Sequence, residues 1–274
     1  MSSLRAARTA ITTTVAVAAL TAATAVPAAA GPVFDFYFAN GYIAANEVRT
    51  QLGALSWPGQ AARNYYPGAN GNPNGSSAMV WGTPGSPSTY TATATCAPMV
   101  TISLKRAYGA DWATNSFFQT HFGSTSPTSA QYHNAINAGN VPHVKRVGKL
   151  TDAFVGDIIA IRYNGGSGAA TGHTAYFAGR TPYDMDNNPA TIEWAVRVLD
   201  STSEPHGVAG SIHQDFRDSR TVGAVEYDGL GEGHMVFRTD SAGTILGHWW
   251  GVNESTWRPV SDRPVTIGRI TRTA

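Results

Sequence analysis

One thiol stands out in the 274-residue chain: Cys96, the only cysteine, at the head of the segment Thr95–Gly109. Met99, Val100, Ser103, Leu104 and Ala107 recur there at helical spacing, Pro98 fits a first turn, and Gly109 is a natural stop. Thr95 occupies the capping position. A thiol at a helix start meets free amide donors and the positive end of the helix dipole, which favour the thiolate that attacks carbonyl carbon. Such a nucleophile needs a base, and the base an orienting acceptor. Downstream, His173 opens the strand-like run His173–Ala178, and Asp200 closes the run that starts at Ile192. If those strands are antiparallel neighbours packed on the helix, Cys96 attacks, His173 carries the proton and Asp200 holds the imidazole. His206, just beyond, competes with Asp200 for the third role. The backbone amide of Cys96 or a neighbour would face the developing oxyanion.

Each of these residues also has an inert reading. Free cysteine is among the most buried residue types, a strand histidine is often a satisfied core residue, and Asp200–Ser203 has the composition of an ordinary turn. The remaining histidines, from His121 to His248, show no metal-binding spacing, and His213 with Asp215 is a weak pair. No metal or cofactor is expected. Trp249, Trp250 and Trp257 fit core packing better than a glycan-stacking face. Gly165, Gly166 and Gly168 lack the strand–loop–helix frame of a phosphate loop and read as a flexible turn beside His173.

The positioning elements fall into two blocks. A helix over Asn46–Leu52 ends at Gly53, and Trp57–Pro87 reads as a long surface loop rich in Gly, Pro, Asn and Ser. Asp111 is expected to cap a second helix reaching His121. Ser126-Pro127 is expected to open a third, with Tyr132, Ala135 and Ile136 on one face and Gly139 ending it. Strands follow at Ile158–Tyr163, His173–Ala178, Ile192–Leu199, His234–Arg238, Thr244–Trp250 and Val265–Ile270, with Asp240–Gly243 as a hairpin turn. Helices first and strands after predict an α+β fold with an antiparallel sheet.

Residues 1–30 have the form of a secretory signal peptide. Arg5 and Arg8 precede a small apolar run from Val15 to Ala25, and Ala28-Ala29-Ala30 fits a cleavage site before Gly31. The apolar run falls short of the ~20 residues of a membrane span. Export is therefore expected, to the medium or the cell wall, with residues 31–274 as one domain. That domain divides into an extension and loop (31–90), a core (91–206) and C-terminal strands (207–274). Losing two arginines and no acid takes the formal charge from +1 to −1. A near-neutral chain with 14% charged residues lacks the dense basic surface that holds nucleic acid or anionic lipid. A monomer acting on a peptide is the expected arrangement.

Set in order, Trp81-Gly82, Cys96 opening a helix that ends in Tyr108-Gly109, Val155-Gly156-Asp157, Gly172-His173 and Asp200 resemble the NlpC/P60 (and related CHAP) cysteine peptidases of bacterial cell walls. The resemblance spans residues 79 to about 206. It implies a papain-like α+β core, N-terminal helices on a partly barrel-like sheet, and hydrolysis of peptidoglycan peptides. Met79 stands at the family's tyrosine, Thr95, Ala97 and Pro98 replace the usual Asp, Ser and Gly around the cysteine, and Val155 replaces a proline. Two other functions share this frame: an inactive wall- or glycan-binding protein, and an acyltransferase or toxin using the same triad.

Overall fold

The computed structural model describes residues 36–166, 170–188, 190–207, 216–252 and 254–273. The signal-peptide expectation, Gly168, His213 and Asp215 lie outside them. Residues 35–274 form one compact unit.

Two packed helices support Cys96. Helix α1 (Asn40–Gly53) starts six residues before the expected Asn46, and α2 runs Cys96–Tyr108. Ala45, Val48 and Leu52 of α1 share a core with Met99, Val100 and Leu104 of α2. Thr95 sits at the N-cap of α2 but its hydroxyl makes no cap bond. A capping side chain accepts from the second or third amide of the helix, and the third residue here is Pro98, which has no N–H. The Thr95 amide instead donates to Ser77 Oγ at 3.1 Å.

Helix α3 (Asn115–Phe122) is capped by Thr114, whose hydroxyl accepts from the Phe117 amide at 3.2 Å. The expected cap, Asp111, instead accepts a hydrogen bond from the Tyr37 hydroxyl at 2.7 Å. Helix α4 (Ser129–Ala138) starts after a Thr128–Gln131 capping box and ends at Gly139 in a left-handed conformation, φ 70°.

The expected long loop contains β1 (Asn64–Tyr65) and β2 (Ala78–Val80), which with β3 (Thr91–Thr93) form a small sheet of order β1-β3-β2. Strands of two or three residues carry no readable alternation.

The main sheet uses β4 (Val144–Val147), β5 (Ile158–Arg162), β6 (Gly172–Pro182) and β7 (Ile192–Thr202). A two-residue ladder, β8 (Thr221–Val222) and β9 (Val225–Glu226), precedes β10 (Gly229–Thr239), β11 (Ile245–Trp249), β12 (Arg258–Pro259) and β13 (Val265–Ile270). The order is β12-β11-β10-β7-β6-β5-β13-β4, antiparallel throughout. The C-terminal strands are thus interleaved with the core, β10 beside β7 and β13 beside β5. This is an α+β architecture.

Both sheet faces are buried. Ile158 and Ala160 join the helix-side core, while Ile159 and Ile161 join Phe177, Val198, Met235 and Phe237 on the other side. This is why β5 reads as an unbroken apolar run rather than an alternating one.

Gly172 has a structural reason to be glycine. Its φ is +150°, and a Cβ would lie 1.9 Å from the Ile161 carbonyl oxygen. Gly172→Ala must therefore displace the strand that carries His173. The expected result is a loss of about 1–3 kcal/mol of stability, measured by denaturant unfolding, together with weakened reactivity at Cys96.

Candidate active site

Cys96 is the first residue of α2 and 7% exposed. Its sulfur lies 3.5 Å from Ser129 Oγ at the start of α4. Asp200 lies two residues inside β7 rather than at its end, because the strand continues through Thr202. Strands β6 and β7 pair with Tyr176 opposite Leu199. His173 and Asp200 are each an odd number of residues from that pair, so both project to the face away from Tyr176 and Leu199. The pleat thereby brings together two residues 27 positions apart in sequence.

His173 Nε2 approaches Asp200 Oδ2 to 2.7 Å, close enough for an ion pair but off the line of the ring N–H. His173 is also the group that does most to lower the Cys96 thiol. Burial opposes a thiolate here. The hydrogen bond and charge of His173, with Ser129 and the Thr174 backbone, outweigh it and hold the thiol below its ordinary pKa. Burial likewise opposes charge on His173, but Asp200 and Cys96 raise it to about 9. These opposite shifts are those of a thiolate–imidazolium pair.

The rival third residue proves to be part of the same network. His206 Nε2 contacts the same Asp200 Oδ2 at 2.7 Å, and its Nδ1 lies 2.8 Å from the Trp250 carbonyl oxygen. Of the two histidines, His173 is the one that acts on the Cys96 thiol. Trp250 packs edge-on against His173, ring centroids 4.8 Å apart, and shields the imidazole from solvent.

Behind Asp200 is Arg220, fully buried, which donates to Asp200 Oδ1 at 2.8 Å. It also holds Asp218 with two bonds of 2.9 and 2.7 Å. Burial raises the Asp200 pKa, but Arg220 and His206 more than offset that and keep the carboxyl well below its usual range. Space for this ion pair comes from β10: a Cβ at Gly231 would meet Arg220 at 2.8 Å, and one at Gly233 would meet Asp218 at 2.1 Å.

Cys96 and His173 open into a cleft of about 370 Å³ bordered by Tyr66, Tyr163, Trp250, Arg258 and Arg263. The Tyr66 hydroxyl borders the cleft with the thiol and, by burial first and Cys96 second, is raised above the ordinary tyrosine pKa, so it stays a donor. Tyr66 lies within the stretch read as loop, and no sequence period marked it. Met79, at the family's tyrosine position, is 8% exposed and packs in the core. A larger cavity of about 470 Å³, lined by His133, Arg146 and Arg162, does not border Cys96.

Metal-ligand atoms gather at two places among the described residues: His173, Asp200 and His206, and Asp184, Asp186 and Glu193. In the first, Asp200 already serves two histidines and Arg220, and an added dication would stand beside that fixed guanidinium. In the second, Arg238 already pairs with Asp186 and Glu193.

No family model matches the chain, and no solved structure matches it. An uncharacterized protein of Acanthamoeba polyphaga mimivirus is 24% identical over 202 residues, spanning 69% of this chain and 83% of its own length. No helix among the described residues is long and apolar enough to cross a membrane.

Proposed function

We propose that this protein is an exported cysteine hydrolase of the NlpC/P60-like, papain-like class, cleaving amide bonds in peptidoglycan stem peptides or another extracellular peptide. The observation that carries the reading is the placement of His173 between Cys96 and Asp200, with the thiol pulled down and the imidazole raised to about 9. The second apolar cluster, drawn from adjacent strands on the face away from the helices, supports the partly barrel-like sheet of that class.

In the proposed reaction the Cys96 thiolate adds to the scissile carbonyl. The resulting oxyanion takes hydrogen bonds from the Cys96 amide and the Tyr66 hydroxyl. Collapse breaks the C–N bond, the amine leaves with the His173 proton, and a thioester remains on Cys96. Water, deprotonated by His173, hydrolyses the thioester and restores the pair.

Two predictions follow from the donors and the shifts. Tyr66→Phe is expected to lower kcat/KM for a cleaved peptide by about 10²-fold, read in steady-state kinetics. Amide cleavage should also follow a bell in pH. The acid limb belongs to the lowered Cys96 thiol, because protonation removes the nucleophile. The alkaline limb lies near 9, because neutral His173 cannot protonate the leaving amine. Thiol alkylation needs no acid and should not fall on the alkaline side.

The functional test is incubation of purified protein with peptidoglycan fragments and mass analysis of the products. A new amino terminus with a fragment pair summing to substrate plus one water supports hydrolysis; transfer to an added amine instead supports the acyltransferase alternative. A glycan-binding role gains little support from the tryptophans, since Trp249 is 6% exposed and packs against Trp257.

A further inference from the structure

The cleft beside Cys96 is charged on one wall. Arg258 on β12 and Arg263 in the turn after it both border it, and Glu204 is the acid that faces them. Among the described residues, each guanidinium has only a loose ion pair. Glu254 lies 4.0 Å from Arg258 and Asp262 lies 3.9 Å from Arg263, both beyond hydrogen-bond reach. Arg258 is mostly buried, its side chain 17% exposed, and its Nε has no hydrogen-bond partner among the described residues. Arg263 stacks 4.0 Å over the Tyr163 ring, which fixes the plane of its guanidinium while leaving its N–H edge available.

The turn that carries Arg263 is fixed by its backbone. The Arg263 amide donates to the Pro259 carbonyl at 2.8 Å, and the same turn is tied to the end of β5 by bonds from Arg162 and Asn164. The neighbouring His248, opposite Arg258 across the β11–β12 pair, is kept uncharged, its pKa lowered to about 3 by burial first and then by these two arginines. Arg258 Nη1 donates to the Thr256 carbonyl at 2.9 Å, which leaves its Nε as the buried donor without a partner among the described residues. A positive wall with such a donor, beside the proposed nucleophile, is a site for an anion.

We infer that Arg258 and Arg263 form a carboxylate subsite, so that the preferred substrate carries a carboxylate near its scissile amide. A planar guanidinium pair suits a carboxylate, which it can hold by paired N–H donors. A cleft of this volume is roughly 9 Å across if round, or two to three extended residues. The carboxylate therefore belongs to a residue at or next to the cleaved bond. This inference rests on Cys96 being the nucleophile.

Iodoacetate and iodoacetamide test it on the whole protein without knowledge of the natural substrate. They deliver the same carbon to the same sulfur, displace iodide alike, and differ only in the carboxylate. Any change in thiol pKa on removing an arginine affects both equally and cancels in the ratio of their rates. For the double variant Arg258→Gln, Arg263→Gln, the iodoacetate to iodoacetamide ratio at Cys96 is expected to fall about tenfold or more. Single Arg263→Gln, at a partly buried position, should give part of that fall, and added salt should slow iodoacetate selectively on the unmodified protein. A ratio unmoved by the substitutions and by salt, with iodoacetamide still fast, would overturn the subsite and leave the nucleophile standing. A thiol inert to both reagents would remove the nucleophile and the subsite together.

Discussion

Replacing Cys96 by serine, or His173 by alanine, is expected to lower kcat/KM for amide cleavage by roughly 10⁴-fold. The two residues are coupled: the thiol is lowered through His173, and the imidazole is raised in part by Cys96. The double variant should therefore lose little beyond either single one, and the residual rate belongs to binding and the oxyanion donors. Cys96→Ser removes little packing and should unfold at nearly the normal denaturant midpoint, whereas His173→Ala takes out a buried ring packed on Trp250 and paired with Asp200 and should unfold at a lower one. Two single losses that multiply in the double variant would contradict a shared site.

Arg220→Ala is expected to act on the fold itself. The guanidinium is fully buried and neutralises Asp200 and Asp218 at once. Its removal leaves two enclosed carboxylates near each other, a change that costs about 3–5 kcal/mol when a buried ion pair is broken from one side. For a domain of this size that corresponds to a drop in Tm of order 10 °C. The pH dependence has a definite sign. Asp200 has its folded pKa depressed, so its contribution is complete above the unfolded carboxylate value of ~3.9 and is lost as pH falls through the lower folded value. Arg220→Ala should raise the pH at which acid unfolding begins, as followed by near-UV circular dichroism. Arg220→Lys keeps a charge but not the fork that reaches both acids, and should recover only part of the loss.

Cys96 at a helix start and His173 at a strand start were legible because their signals are local. A cysteine with proline in the first turn, and a glycine–histidine pair at a strand start, announce themselves within a few residues, and the long strands show as apolar runs. Asp200 was placed at a strand end, whereas β7 runs on to Thr202, since Ser and Thr serve turns and strands alike. Tyr66, Arg220 and the Arg258–Arg263 wall were not visible, because each reaches the site through tertiary placement. One faint trace of Arg220 does exist. Gly229, Gly231 and Gly233 alternate within one strand, and glycine inside a strand marks close approach by another group. The caps at Thr114 and Thr128 were misplaced by a few residues because Asp, Ser and Thr compete for that role on equal chemical terms.

The central claim is that Cys96 is an ion-paired thiolate sustained by His173, and the rate of its reaction with iodoacetamide against pH tests this most directly. The expected profile in the intact protein has an apparent thiol pKa well below the ~8.5 of an unperturbed cysteine, restored towards that value in His173→Ala. A thiol that titrates as an ordinary cysteine, or stays inaccessible, and does not respond to the loss of His173 would contradict the account.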